Sequence, residues 1–372
     1  MEYFLEQLLN GLSLGCIYAF IALGYTMVYG IIKLINFAHG EFFMVGAFAG
    51  YFVLIGGGVE RLGLPHPLGV VVAAGVAILI AALVSGVLAV VTERLAYRPL
   101  MGASRIAALL TALGVSLLLQ NLGIQAFTAE QKGFPELRRY VPAEQIEALD
   151  GETFSGSTYA LFEVEASTGG LNEIREVLAV RGEPFEASSF EEVADRQWRG
   201  EPVAGIYIEQ NLSTASRKWL IIVSLAVSFG LLNLLVNHTN MGRAMRAVSY
   251  NPEAARLMGI ASGRVISTTF FIGAFLAGIG GVIWGIRYGK VEPFMGFLPG
   301  LKAFIAAVLG GIGSLPGAVL GGVLLGVLEV LIPAYLPSEY TGYKDAIAFV
   351  ALIVILLVKP SGLLGKWEGD KV

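Results

Sequence analysis

Along most of this chain apolar residues fill whole runs instead of recurring at every second or every third to fourth position. Such runs occupy residues 8–32, 68–91, 106–127, 219–236 and 265–286. Each approaches the roughly 20 residues that a helix needs to cross the hydrocarbon of a bilayer. A shorter run occupies 346–358. Two further stretches are apolar but interrupted. Lys33, Asn36, His39 and Glu41 break the sequence that continues to residue 52, and GGIGSLP at 310–316 divides the apolar stretch that starts at Leu298 into two short helices. Gly313, Ser314, Leu315 and Pro316 cannot continue a straight helix without cost. The pattern predicts an all-α polytopic membrane protein of about eight to nine transmembrane helices with broken or re-entrant segments. If 36–52 spans, the N-terminus lies outside and the C-terminus inside; if it re-enters, the N-terminus moves inside.

The polar residues inside these runs are the candidate chemistry. Gly11 and Gly15, four apart, allow close helix approach. Two readings fit Asn36, His39 and Glu41: an interfacial bend with these groups in water, or a helix break whose polar groups line a translocation path. Ionisable groups at membrane depth are costly and face a cavity or a partner. The break at Gly313 and Ser314 must be buried by protein or line a wet cavity, because lipid cannot satisfy its backbone. Glu329 is a further path or packing candidate, while Lys302 lies near enough to a helix end to snorkel. The start, MEYFLEQLLNG, carries two acidic residues and no Lys or Arg, the wrong beginning for a cleaved signal peptide, so the first helix is expected to stay.

Composition sharpens the class. The chain has 372 residues, 55% of them hydrophobic and only 15% charged, with a mean hydropathy of +0.71. Few soluble domains of this length carry so little charge. Cys16 is the single cysteine, which excludes an intrachain disulfide, and His39, His66 and His238 share no ligand spacing. No metal, cofactor or nucleic-acid partner is expected. The charge is unevenly spread: residues 129–217 hold 17 acidic against 8 basic residues, a net −9, whereas the rest of the chain sums to +5. No window of that stretch is apolar enough to span. Arg94, Arg98 and Arg105 mark the preceding loop as cytoplasmic, so parity places 129–217 outside the cytoplasm as a soluble insertion. Within it, 172–180 has helical periodicity, 190–198 reads as a further helical turn or two, and 203–210 alternates as a strand; together they predict a small α+β module. The domain organisation is therefore an N-terminal transmembrane part (1–128), the insertion (129–217) and a C-terminal transmembrane part (218–372).

Residues 238–263 form a polar interlude between two apolar runs, with Arg243 and Arg246 followed by Asn251, Pro252 and Glu253. Asn251 caps a short helix, Pro252 fits its first turn and Glu253 complements its positive end. So short a helix is not stable alone; it must dock on something. An ordinary basic cytoplasmic loop is the plainer reading.

Glu253, Ala254, Ala255 and, three residues on, Gly259 resemble the coupling-loop signature of bacterial ABC importer permeases, although the Leu-Pro that usually follows is missing. GYTMVYGIIKLINFAHGEFFMVGAF, GRAMRAVSYNPEAARLMGI, GLKAFIAAVLGGIGSLPGAVLGG and EYTGYKDAIAFVALIVILLVKPSGLLG together resemble the permease subunit of the branched-chain amino acid ABC importers, more narrowly its LivH-type member. The resemblance covers nearly everything except 129–217. It implies two related permeases forming the pore in the bacterial inner membrane, two cytoplasmic ATPase subunits and a periplasmic amino-acid-binding protein. Arg243, Arg246 and the helix from Asn251 to Gly259 would meet the ATPase. The chain has no GxxxxGK[ST] phosphate loop, which fits a non-enzymatic transport subunit. A permease for urea or short amides shares these motifs, a sugar permease fits them less well, and a self-sufficient channel or secondary transporter leaves the coupling loop without a purpose.

Overall fold

A helix that is apolar on every side is one that the rest of the protein surrounds. In the computed structural model that helix is α1 (Glu2–Ile32), whose residues from Ser13 to Val28 are buried. The structure describes residues 2–33, 36–56, 68–100, 104–135, 138–142, 157–165, 172–181, 203–210, 214–335, 337–359 and 361–365. After α1 come α2 (His39–Ile55), α3 (Leu68–Thr92), a wide π turn (Glu93–Tyr97) running into a 3-10 turn (Arg98–Leu100), and α4 (Arg105–Phe127). The second half brings α5 (Thr214–His238), α6 (Asn240–Tyr250), α7 (Pro252–Leu257), α8 (Ser262–Tyr288), α9 (Phe297–Gly310), α10 (Leu315–Tyr335) and α11 (Lys344–Val358).

Six stretches among the described residues are helical, long and apolar enough to cross a membrane: Glu2–Ile32, Val71–Leu100, Ile106–Phe127, Arg217–His238, Ser262–Tyr288 and Leu315–Tyr335. His39–Ile55 and Phe297–Gly310 are shorter apolar helices. The chain is a helical, multi-pass membrane protein. The predicted break is present, but only α9 is short, since α10 runs for 21 residues.

Two compact units can be distinguished. The first comprises Met1–Gly50, Leu79–Gly133 and Lys218–Val372. Here α8, α9 and α10 pack around α1. Gly11 and Gly15 do what their spacing predicts: a Cβ on Gly15 would lie 2.5 Å from the Cα of Val323, and one on Gly326 would lie 2.1 Å from the nitrogen of Gly15. Backbone meets backbone at this crossing, where side chains would force the helices apart. Strand β1 (Lys132–Gly133) pairs antiparallel with β6 (Lys290–Val291), which brings the C-terminal end of α4 to that of α8. Arg98, just after α3, instead reaches Gly263 at the N-terminal end of α8. The arginine loop and the start of the insertion thus lie at opposite ends of α8.

The second unit comprises Tyr51–Ile78 and Phe134–Arg217. Its described part contains an antiparallel sheet in the order β2 (Arg138–Pro142), β5 (Val203–Gln210), β3 (Ser157–Glu165), β4 (Asn172–Arg181). The strand predicted at 203–210 is present as β5. The helix predicted at 172–180 is not: this segment is β4, paired with β3 from Glu165↔Asn172 to Ser157↔Arg181. Ala160 faces Leu178 while Leu161 faces Glu176, so the register skips Val177. That bulge absorbs one residue of a spacing that locally imitates a helix, and pairing with the preceding strand overrides it. The helical turns predicted at 190–198 lie outside the described residues.

Candidate functional site

Local chemistry builds the segment between α5 and α8 in the way its sequence dictates. The Thr239 hydroxyl caps α6 by accepting from Gly242 N at 3.1 Å. Gly242, Met245 and Val248 turn one face of α6 inward, and Ser249 donates to the carbonyl of Gly30 near the end of α1. The Asn251 side chain accepts from Glu253 N and Ala254 N, both at 3.0 Å, with Pro252 in the first turn of α7. At the other end Ile260 N bonds to Ala255 O and Gly259 N to Arg256 O, each at 3.0 Å, with Gly259 at φ +80°. This is a Schellman closure, and the left-handed residue it needs is a glycine. Ala255 is buried, whereas Glu253, Ala254 and Arg256 are exposed. Tyr250, Leu257 and Met258 are 81%, 89% and 82% exposed, an apolar tip on an otherwise polar loop.

Arg243 donates to Asn240 and Arg246 to the carbonyl of Val236. Both guanidinium groups lie at the surface. Arg246 also borders a cavity of ≈ 240 Å³ lined by Thr26 and Gly30 of α1, Met245 and Ser249 of α6, and Gly313 of the break. The cavity therefore joins the polar loop, the central helix and the interrupted pair.

The break itself is closed by protein. Gly311 and Gly313 have φ of +104° and +91°. The Ser314 hydroxyl caps α10 by accepting from Gly317 N at 3.2 Å. The carbonyls of Leu309 and Gly310, released from helical bonding, accept from Leu363 N at 2.8 Å and Leu364 N at 2.9 Å. The SGLLG tail thus supplies the donors that lipid could not.

The other predicted path residues lie inside the packing. Asn36, His39 and Glu41 are each 1% exposed. Asn36 Oδ1 accepts from the Tyr97 hydroxyl at 2.6 Å and from Ala38 N at 3.2 Å. His39 lies against the Tyr25 ring, with centroids 4.8 Å apart. Glu41 Oε1 accepts from Ser116 at 2.9 Å and Gln120 at 2.8 Å, both on α4. Glu329 pairs with Lys302 at 2.7 Å and accepts from the Tyr18 hydroxyl at 2.8 Å. Lys302 does not snorkel: it is 4% exposed, because a carboxylate on the neighbouring helix holds it.

Sequence reasoning missed Tyr18, Glu93, Tyr97 and the tail residues Leu363 and Leu364. For Glu93 a signal existed, a carboxylate five residues before Arg98 in an arginine-rich loop; the others announce themselves only through distant partners. Among the described residues no group of three or more His, Cys, Asp or Glu could hold a metal ion.

The family model for the permease component of the branched-chain amino acid transport system matches residues 7–356. The chain is 37% identical to the high-affinity branched-chain amino acid transport system permease protein LivH of Salmonella typhimurium, over all of this chain and 98% of the relative. It is 36% identical to the corresponding permease BraD of Pseudomonas aeruginosa, again over 100% and 98%. Permease LivM of Salmonella typhimurium matches at 31% over 39% of this chain and 32% of its own length. No solved structure matches the chain.

Proposed function

The chain belongs to the branched-chain amino acid transport permease family, and from that membership we propose that it is a membrane subunit of an ATP-driven importer of branched-chain amino acids. It forms half of a pore in the bacterial inner membrane beside a related permease of the LivM kind. Cytoplasmic ATPases supply the energy, and a periplasmic binding protein delivers the amino acid and sets most of the selectivity.

The observation that carries this reading is α7. A capped helix of six residues with exposed Glu253 and Leu257, followed by exposed Met258, has too few bonds of its own to be stable, and its apolar tip needs a partner surface. An ATPase cleft supplies one. Closure of the ATPases on ATP then displaces α7 and α6 together. The displacement reaches the cavity shared by Arg246, Thr26 and Gly313, and access alternates between the two faces. Gly313 and Ser314 are assigned to the path. Asn36, His39, Glu41 and Glu329 hold the helices that surround it. The acidic segment 129–217 is assigned to the periplasmic face, where its charge meets the arriving binding protein.

Purification of the solubilised protein at native expression tests this. An ATPase pair, a sister permease and a binding protein are expected to accompany it, and calorimetric titration of that binding protein is expected to give heat with leucine, isoleucine or valine and none with urea. A chain that purifies alone and moves amino acid in liposomes without ATP would sink the proposal.

A further inference from the structure

One cluster of charged and polar groups lies outside everything assigned so far. Where α3 ends, the backbone widens into the π turn and then tightens into the 3-10 turn, an irregularity frequent at functional sites. Two side chains of the wide turn point inward, Glu93 at 0% and Tyr97 at 3% exposure. Glu93 accepts from Arg98 Nε at 2.9 Å and Nη2 at 3.1 Å, and from the Ser267 hydroxyl at 2.7 Å. Arg98 Nη2 also donates to Ser267 Oγ at 2.7 Å and to the carbonyl of Gly263 at 3.0 Å. Gly263 and Ser267 occupy the first two turns of α8, immediately after the coupling helix. From the same wide turn the Tyr97 hydroxyl donates to Asn36, whose side chain also accepts from Ala38 N just ahead of α2. Glu41, in the first turn of α2, continues the line to Ser116 and Gln120 of α4.

We propose that the Glu93–Arg98–Ser267 cluster is the joint through which displacement of the coupling helix reaches α2 and α4, with Arg98 as its positioning residue. This rests on the importer reading above. A fully buried carboxylate is costly, and a purely packing role could be filled by an apolar residue of similar size. The geometry suits a contact that shifts without breaking. Nη2 has two hydrogens but three oxygens within 3.1 Å, those of Glu93, Ser267 and Gly263. A small slide of α8, which carries both Gly263 and Ser267, lets Nη2 redistribute its two hydrogens among these three oxygens while Nε holds Glu93. Lysine, whose donors all sit on one nitrogen, cannot grip both oxygens of Glu93 and reach α8 as the guanidinium fork does.

The test uses the assembled complex in proteoliposomes and reads amino acid taken up per ATP hydrolysed. Arg98→Lys and Ser267→Ala are expected to co-purify with the ATPases at normal yield and to hydrolyse ATP, with uptake per ATP falling roughly tenfold and several-fold respectively. A residue that merely supports folding would lower yield and leave that ratio unchanged. Ser267→Ala keeps a strong helix former and an intact Glu93–Arg98 pair, so it covers the case in which Arg98→Lys does not assemble. A normal ratio in Ser267→Ala overturns the joint. Absence of ATP-driven uptake by the unaltered complex overturns the importer reading and the joint with it, which separates the two failures.

Discussion

Lys302 and Glu329 face each other at 2.7 Å with 5% and 11% of their side chains exposed, and the Tyr18 hydroxyl holds the second carboxylate oxygen at 2.8 Å. Removing one partner of such a pair leaves a buried charge uncompensated, which costs about 3–5 kcal/mol. Replacing both with apolar residues removes the charge and the penalty together. Lys302→Met is therefore expected to lower the thermal stability of the detergent-purified protein sharply, whereas Lys302→Met with Glu329→Leu recovers most of it. A double-mutant cycle of melting temperatures measures the coupling. Additive losses, with the double variant losing as much as the two single variants together, would show that the two groups are not coupled.

Elements translate such contacts into behaviour. The cap at Asn251 and the left-handed Gly259 define α7 at its two ends, but neither fixes what its exposed side chains meet. Glu253→Arg reverses a charge on the free face and is expected to abolish uptake while the protein still inserts. Asn251→Ala, which removes a cap worth about 1 kcal/mol, should weaken ATPase co-purification by less. Normal uptake by Glu253→Arg would remove the coupling role from α7. The interrupted pair α9 and α10 depends on a different device. Truncation after Lys359 strips the donors from the carbonyls of Leu309 and Gly310, each a loss of about 1–3 kcal/mol if they stay buried. The truncated chain is expected to insert but to melt at a lower temperature, and unchanged melting would mean that water replaces the tail.

At the scale of the molecule, the two ends of α8 divide the surface. Gly263 meets the arginine loop at one end, and Lys290–Val291 meets Lys132–Gly133 at the other. With Cys16 replaced, a cysteine at residue 130 is expected to react with a membrane-impermeant thiol reagent in intact cells, and one at residue 256 only after the membrane is opened. Labelling of both from outside would overturn the assigned topology. The sheet β2–β5–β3–β4 belongs to the unit formed by Tyr51–Ile78 and Phe134–Arg217. Excision of residues 134–213 behind a short linker is expected to leave the chain inserted, because α4 and α5 are complete helices on either side. Loss of the protein from the membrane fraction would show that the sheet unit supports the helices.

The chain's own pattern determined its class, because continuous apolar runs leave backbone groups only one way to be satisfied in lipid. It also determined the ends of α7 and the break at Gly311–Ser314, where caps and positive-φ glycines act within a few residues. Tertiary structure decided the rest. Ser267 and Glu93 are separated by 174 positions, and Tyr18 and Glu329 by 311. No local period encodes those pairings. Asn36, Glu41 and Lys302 read the same whether they line water or bond within the protein, and only the fold brings Tyr97, Gln120 and Glu329 to them. Residues 172–181 carry a helical spacing and form a strand because β3 offers a ladder that the segment alone cannot make. Short-range chemistry is legible wherever the partner of a group is its neighbour in sequence, and ceases to be where folding supplies the partner.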